Sequence, residues 1–396
     1  MSMQRTCLSV AAFAILLSAL LIPTPAQAAP AAQTPPGNEP YSGAPLCLPD
    51  TYLADPGDCL PLGPAAFLTD LARQGIAYPS LPLPAAHPGS DLSQVNINYA
   101  KINLEPYEPA PVFSSLQDAV AGTNPVRYLA GGDGLRYVSY TQRADQNGGH
   151  YVLLPSGEWM RASPAAILST FQGLVFRRNP TTSFGWIFDN TIPKSSPSAL
   201  APENGQPLVK EQVVPIYKMV EAENTQWYMV GLGQWVERRY IRQFQLKTTP
   251  PEGVENGRWI EVNLYEQTMA VYEDSRLVFA TLIATGADPY FTRPGLFKVY
   301  KKKATENMSG AFASDKSDFY YLADVPWTMY FDEARAIHGA YWRAWFGMPQ
   351  SHGCVNLSIG DARWVYDWAQ EGDYIYVWDP SGQTPTDPKF YTQGGA

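Results

Sequence analysis

Short alternating runs of apolar and polar residues dominate the later part of the chain, and they predict strands rather than helices. Trp259-Ile260-Glu261-Val262-Asn263-Leu264 alternates at period two, residues 269–272 follow as its hairpin partner, and residues 277–284 form another strand ending at Thr285-Gly286. Residues 297–300 and 374–378 read the same way. One helix interrupts them. Ser358 can cap it, Asp361 sits in its first turn, and Trp364, Val365 and Trp368 fall on one face. Residues 96–244 are short strands between turns, and two segments inside them look alike. Pro111-Val112-Phe113 opens the first, which continues with Tyr151-Val152-Leu153-Leu154 and Gly157-Glu158-Trp159-Met160. Pro215-Ile216-Tyr217 opens the second, followed by Trp227-Tyr228-Met229-Val230 and Gly233-Gln234-Trp235-Val236. Residues 64–74 are the single helical stretch near the N-terminus. The predicted fold class is mostly β.

Composition narrows the function classes. At 396 residues the chain can hold two or three domains, and 45% hydrophobic with 13% aromatic residues can bury several cores, so global disorder is excluded. The net charge of -9 carries no basic stripe, and Lys301-Lys302-Lys303 is too short for a nucleic-acid footprint, so no nucleic-acid partner is expected.

At the N-terminus Arg5 precedes an apolar run over residues 8–22 that is short for a bilayer, and Ala26-Gln27-Ala28 supplies a small-x-small cleavage pattern. Residues 1–28 are therefore expected to be a signal peptide, with an uncleaved anchor as the alternative, and the protein to be exported to the cell wall or periplasm. Residues 29–95 read as a Pro-rich linker and a small cysteine-stapled segment, 96–246 as a β-rich region, 247–257 (KTTPPEGVENG) as a linker, 258–379 as a second β domain, and 380–396 as a flexible tail. A monomer is expected. Of the cysteines, Cys7 leaves with the signal. Cys47 and Cys59 bracket a loop and are expected to pair outside the cytoplasm, two free thiols being the alternative. Cys354 is left unpaired.

That unpaired thiol sits in the most informative stretch: Ile337-His338-Gly339, then residues 340–350, then Ser351-His352-Gly353-Cys354-Val355-Asn356. The chain has only 4 histidines; His87 and His150 lie in turn-like sequence, and the other two flank this cysteine. A free thiol is mostly protonated at neutral pH, and a neighbouring imidazole that takes its proton creates the nucleophile of cysteine acyl-transfer enzymes. His352, two residues from Cys354, shares a strand face with it but is poorly aimed. His338 comes from a separate segment and is better placed to act as the base. Gly353 removes a side chain beside the sulfur, so its N–H and that of Cys354 can face a developing oxyanion. A zinc site and an inert buried pair are the other readings. Zinc wants more ligands at short spacing, so no metal and no cofactor are expected.

The run IHG followed by SHGCVN resembles the active-site signature of the L,D-transpeptidase catalytic domain family, and the resemblance spans residues 258–378. Thr292-Arg293-Pro294-Gly295-Leu296-Phe297 is similar to the family's T-P-x-G-x-F turn, with the proline one place later. Met329-Tyr330-Phe331, Leu357 and Asp361-Ala362 fall in the expected order. The resemblance implies a β-sandwich with one helix, Cys354 as nucleophile and His338 as base, oriented by the Gly339 carbonyl. It further implies a pocket shaped by Ser351 and His352 and an oxyanion hole of the Gly353 and Cys354 amides. The implied partners are peptidoglycan stem peptides, and the implied reaction is 3→3 cross-linking through a thioester. Water or a free D-amino acid as acceptor would give carboxypeptidase or exchange chemistry, and a non-catalytic wall-binding scaffold is the rival from another class. Family members also tend to accept carbapenems. Many carry Arg where this chain has Asn356, which implies a substrate-carboxylate pocket less driven by charge. Tyr330, Trp342 and Asn356 are the candidate substrate-binding residues, with packing as the alternative role for the aromatics. The two look-alike β segments loosely resemble bacterial SH3-like barrels, and ordinary β-structure with core tryptophans is the competing reading.

Overall fold

Period-two alternation becomes pairing where the sequence predicts it. In the computed structural model, which describes residues 42, 46, 64–105 and 107–391, Arg258–Asn263 pairs antiparallel with Thr268–Glu273, and that strand pairs with Arg276–Leu282. Tyr374–Trp378 runs parallel on the other side of Arg258–Asn263 and receives Gly295–Lys298 at the edge. The expected signal segment and the expected Cys47–Cys59 bridge lie outside the described residues.

A second sheet carries the motif-bearing strands, in the order Val355–Leu357, Arg335–Gly339, Tyr320–Asp332, Arg136–Tyr140, Asn98–Lys101, Ser163–Pro164, with Lys301–Gly310 also paired to Tyr320–Asp332. Ile260, Val262, Val271 and Phe279 of the first sheet share one buried cluster with Met329, Phe331, Ile337, Val355 and Leu357 of the second. Ala362 and Val365 of helix Ile359–Trp368 complete it. Each large side chain fully buried in this way stabilises the fold by about 1.5–3 kcal/mol. Ser358 caps the helix by accepting the Asp361 N–H at 3.3 Å, and Trp364 stacks on Phe279 with ring centroids 4.4 Å apart. The fold is mostly β.

Strand alternation ordinarily signals one dry and one wet face, but here both faces of the first sheet are covered. Trp259 stacks on Tyr272 on the outer face, where Phe171, Phe176, Phe184, Trp186 and Phe244 pack over them. Glu261, which alternation alone would send to solvent, is buried with its carboxyl pushed up to about 7 by desolvation; it accepts the Trp378 indole N–H at 3.0 Å.

Strands from the β-rich region thus belong to both sheets. Asn98–Lys101, Arg136–Tyr140 and Ser163–Pro164 extend the motif-bearing sheet, and Ala85–Ala86 with Leu174–Phe176 extend the other. An open sheet edge gains backbone hydrogen bonds by adding strands, whatever their distance in sequence. The remaining strands form a five-stranded sheet (residues 110–161), two three-stranded sheets (residues 183–244) and a two-stranded pair of Ile167–Leu168 with Trp342–Arg343. Both look-alike segments do make hairpins, Gly149–Leu153 with Trp159–Arg161 and Thr225–Gly231 with Gln234–Glu237. Trp227 and Trp235 fill a core.

The tail also departs from expectation. Residues 380–391 fold back, and Tyr391 is buried with its carbonyl accepting a hydrogen bond from Arg335 at 3.1 Å. A guanidinium enclosed under the sheet needs acceptors, and the tail supplies one.

Candidate active site

The register of two short parallel strands assembles the site. Arg335–Gly339 and Val355–Leu357 pair so that His338 lies opposite Asn356, and Cys354 immediately precedes the second strand. Ala284 bridges Asn356 from the other side through two backbone hydrogen bonds of 2.9 and 3.0 Å, which fixes the strand that follows the cysteine. Cys354, His338, Ser351, His352, Trp342 and Asn356 line one cavity of about 340 Å³.

The loop bearing the thiol is clamped from both sides. The N–H groups of Gln350 and Ser351 donate to the Thr285 carbonyl, Ser351 Oγ donates to the Cys354 carbonyl at 2.5 Å, and Thr292 Oγ1 donates to the Gly353 carbonyl at 2.8 Å. Thr292 opens the turn singled out in the sequence, and this bond gives it a purpose. Gly353 has φ 115°, a region that side chains avoid, and a Cβ there would meet Arg335 Nε at 3.0 Å. The Gly353 N–H, expected to face an oxyanion, donates to Ser351 Oγ at 3.1 Å. The short hydroxyl claims it first.

A chain of forced donors settles the imidazole's tautomer. Arg343 Nε can only donate and is 2.7 Å from Asn356 Oδ1, so the Asn356 amide nitrogen faces His338 Nε2, at 3.0 Å. His338 Nδ1 must then carry the proton, which it donates to the Gly339 carbonyl at 3.1 Å. Nε2 is therefore the basic nitrogen. Burial lowers the His338 imidazole to about 4, the Gly339 carbonyl opposing and Arg343 adding to that shift. Burial likewise pushes the Cys354 thiol up to about 11, although the Ala336 N–H, 3.4 Å from Sγ, and Arg335 favour the thiolate. The thiol and imidazole rest as a neutral pair, in which Asn356 occupies the base's lone pair. Separated ions would be costly in so dry a site.

His352 stands apart from this network. Its ring is exposed and stacks on Phe312, 4.6 Å between centroids, with Tyr290 at 4.8 Å, so it forms part of an aromatic wall. The Trp342 ring lies 5.7 Å from that of His338. Tyr330 does not line the cavity; its ring faces Tyr300, and burial with the nearby Glu306 and Cys354 raises its hydroxyl. Tyr330 pairs with Ala336 across the sheet and packs against the same buried cluster as Cys354. His87 and His150 are exposed. No group of three or more His, Cys, Asp or Glu side chains able to hold a metal exists among the described residues.

Two contributors escape the sequence reading. Asp133, Gly134 and Leu135, from the β-rich region, form one wall of the cavity. Arg343 forms another, with Nη1 donating to Gln350 Oε1 at 2.9 Å and Nη2 to the Gln350 carbonyl. A guanidinium thus lines the cavity in which Asn356 stands. Its place beside Trp342, already a candidate, was the one available signal.

Residues 257–377 match the sequence model of the L,D-transpeptidase catalytic domain (YkuD). YciB of Bacillus subtilis (strain 168), named provisionally as an L,D-transpeptidase, is 24% identical over 145 residues, covering 30% of this chain and 64% of its own length. The chain thus spans under two thirds of that relative. A crystal structure of an L,D-transpeptidase from Stackebrandtia nassauensis is 26% identical over 35% of this chain and 63% of its own, with a TM-score of 0.26. The catalytic domain of an E. faecium L,D-transpeptidase, solved by NMR, is 26% identical over 32% of this chain and 100% of its own, with a TM-score of 0.29. The family match reaches from Arg258–Asn263 into Tyr374–Trp378 and includes the strand that carries His338 and the loop that carries Cys354. Residues 257–377 are therefore similar to the L,D-transpeptidase catalytic domain.

Proposed function

We propose that this chain is an exported cysteine acyltransferase that cross-links peptidoglycan stems. Cys354 Sγ attacks the acyl carbonyl at the third residue of a tetrapeptide stem, and its proton passes to His338 Nε2. The imidazolium then protonates the departing amine of the terminal D-residue, leaving a thioester on Cys354. An amine of a second stem attacks that thioester, gives its proton to His338 and restores the thiol, forming the 3→3 link. The observation that carries this reading is the parallel register of His338 against Asn356, which sets a neutral Nε2 base and the thiol on one cavity. With the Gly353 N–H held by Ser351, the Cys354 N–H is the donor left to meet the oxyanion. Export rests on Arg5, the apolar run over residues 8–22 and Ala26-Gln27-Ala28.

Cys354→Ala should eliminate the covalent adduct that the wild-type protein forms with a carbapenem, read by intact-mass spectrometry. An adduct of normal yield on the variant would remove Cys354 from the mechanism. Muropeptide analysis after incubation with the full chain should show 3→3 dimers. Shortened stems without dimers would mark a hydrolase, and retention on insoluble peptidoglycan without any new product would mark a scaffold. N-terminal sequencing of the protein recovered outside the cytoplasm should begin at Ala29.

A further inference from the structure

Arg343 has an unusual position for a cation. It belongs to the two-residue strand Trp342–Arg343, which pairs in parallel with Ile167–Leu168 of the β-rich region, and it lines the cavity with Cys354. Each guanidinium nitrogen makes one hydrogen bond, to Asn356 Oδ1, Gln350 Oε1 and the Gln350 carbonyl, which leaves one N–H on each Nη without a protein partner among the described residues. No acidic side chain among the described residues pairs with it. The contrast with Arg293 and Arg335, both bonded to Asp332, is direct. Arg343 is half-buried; drawing a cation partly out of water without a counter-charge is costly, and a fold that does so beside a reactive group has a place for an anion. Asp133 is the acidic residue of the same cavity, and it is exposed at the rim, where water screens it.

We infer that Arg343 is the anion-recognition residue of this site, taking a carboxylate of the acyl-donor substrate through its free Nη N–H groups. The inference rests on the proposed acyl-transfer reading for the identity of the donor, while the anion site itself is independent of it. The contact would also reach the base. A carboxylate drawing the guanidinium toward itself loosens the Nε bond to Asn356 Oδ1, and the Asn356 amide is what occupies His338 Nε2 at rest. Substrate binding and release of the base's lone pair are thereby joined through one side chain.

Two alkylating reagents test the anion site without any peptidoglycan. Iodoacetate and iodoacetamide both alkylate the Cys354 sulfur with loss of iodide, and the ratio of their rates cancels any change in thiol ionisation. In the full chain that ratio should fall roughly tenfold in Arg343→Gln and stay near the wild-type value in Arg343→Lys. An unchanged ratio in Arg343→Gln overturns the proposal. Should Arg343→Gln fail to fold, the wild-type protein decides. Its ratio should drop as salt rises from about 0.01 M to 1 M, where the screening length shrinks from roughly 30 Å to 3 Å, and a flat response overturns the proposal. Donor stems then locate the carboxylate. Amidation of either the terminal carboxylate or a side-chain carboxylate at position three should raise KM in the wild type by the factor that Arg343→Gln imposes on the unmodified stem. If both amidated stems behave as the parent does, Arg343 reads no donor carboxylate. If no stem turns over while the alkylation ratio still responds, the anion site stands and the donor assignment fails.

Discussion

Two buried polar clusters adjoin Gly353 and solve the same problem differently. In one, the rear cluster, Arg335 and Arg293 share Asp332, and Arg335 also reaches the Tyr391 carbonyl, so charge is enclosed but paired. In the other, the front cluster, Cys354 and His338 are equally enclosed yet stay neutral, with the thiol at about 11 and the imidazole at about 4. Pairing fixes a structure in place. Neutrality enforced by burial keeps two groups ready to exchange a proton once a substrate offers somewhere for the charge to go. Removing a member of the front cluster should therefore change chemistry most, and removing a member of the rear cluster should change stability most.

The largest effect belongs to the front. His338→Gln should slow acylation of Cys354 by a carbapenem about 10²–10⁴-fold, the usual contribution of a positioned general base, measured by the time course of adduct mass. A rate equal to wild type would take His338 out of the reaction. At the rear, Asp332→Ala leaves two guanidiniums without their shared carboxylate, one of them fully enclosed. Breaking a buried pair in this way costs about 3–5 kcal/mol, a fall in thermal midpoint on the order of 10 °C. A variant that kept its midpoint but lost acylation would reverse the assignment of roles to the two clusters.

The sequence foretold these clusters unequally. The Cys354 and His338 stretch was legible because a scarce residue type concentrates there, and the cap at Ser358 was legible because capping is local chemistry. The sheet partners of Tyr320–Asp332 were not, since Arg136–Tyr140, and through it Asn98–Lys101, join it over a long sequence separation that no local pattern encodes. Glu261 read as a solvent-facing position for the same reason: what covers the outer face comes from residues 171–186 and 244. Arg343 was missed because an arginine beside tryptophans reads as surface until its partial burial and its missing counter-charge are seen. Tyr391 was lost in a polar, turn-rich tail whose single buried ring gives no periodicity.

The smallest effect sharpens the comparison through pH alone. An ordinary cysteine ionises near 9.0, and Cys354 in the folded protein does so at about 11. Above pH 9 the unfolded chain releases a proton that the folded one retains, so the folded state binds more protons and stability must fall as pH rises through this window. The full shift corresponds to about 3 kcal/mol at 1.36 kcal/mol per unit. Cys354→Ser lacks the titration, while the raised hydroxyls of Tyr341, Tyr272 and Tyr228 are common to both proteins and cancel in the difference. Urea unfolding between pH 8 and 11 should thus show wild type losing stability faster than the variant, with the gap opening above pH 9. Parallel curves would mean that the thiol meets water or a charge in the folded state, and the distinction between a neutral front and a paired rear would no longer hold.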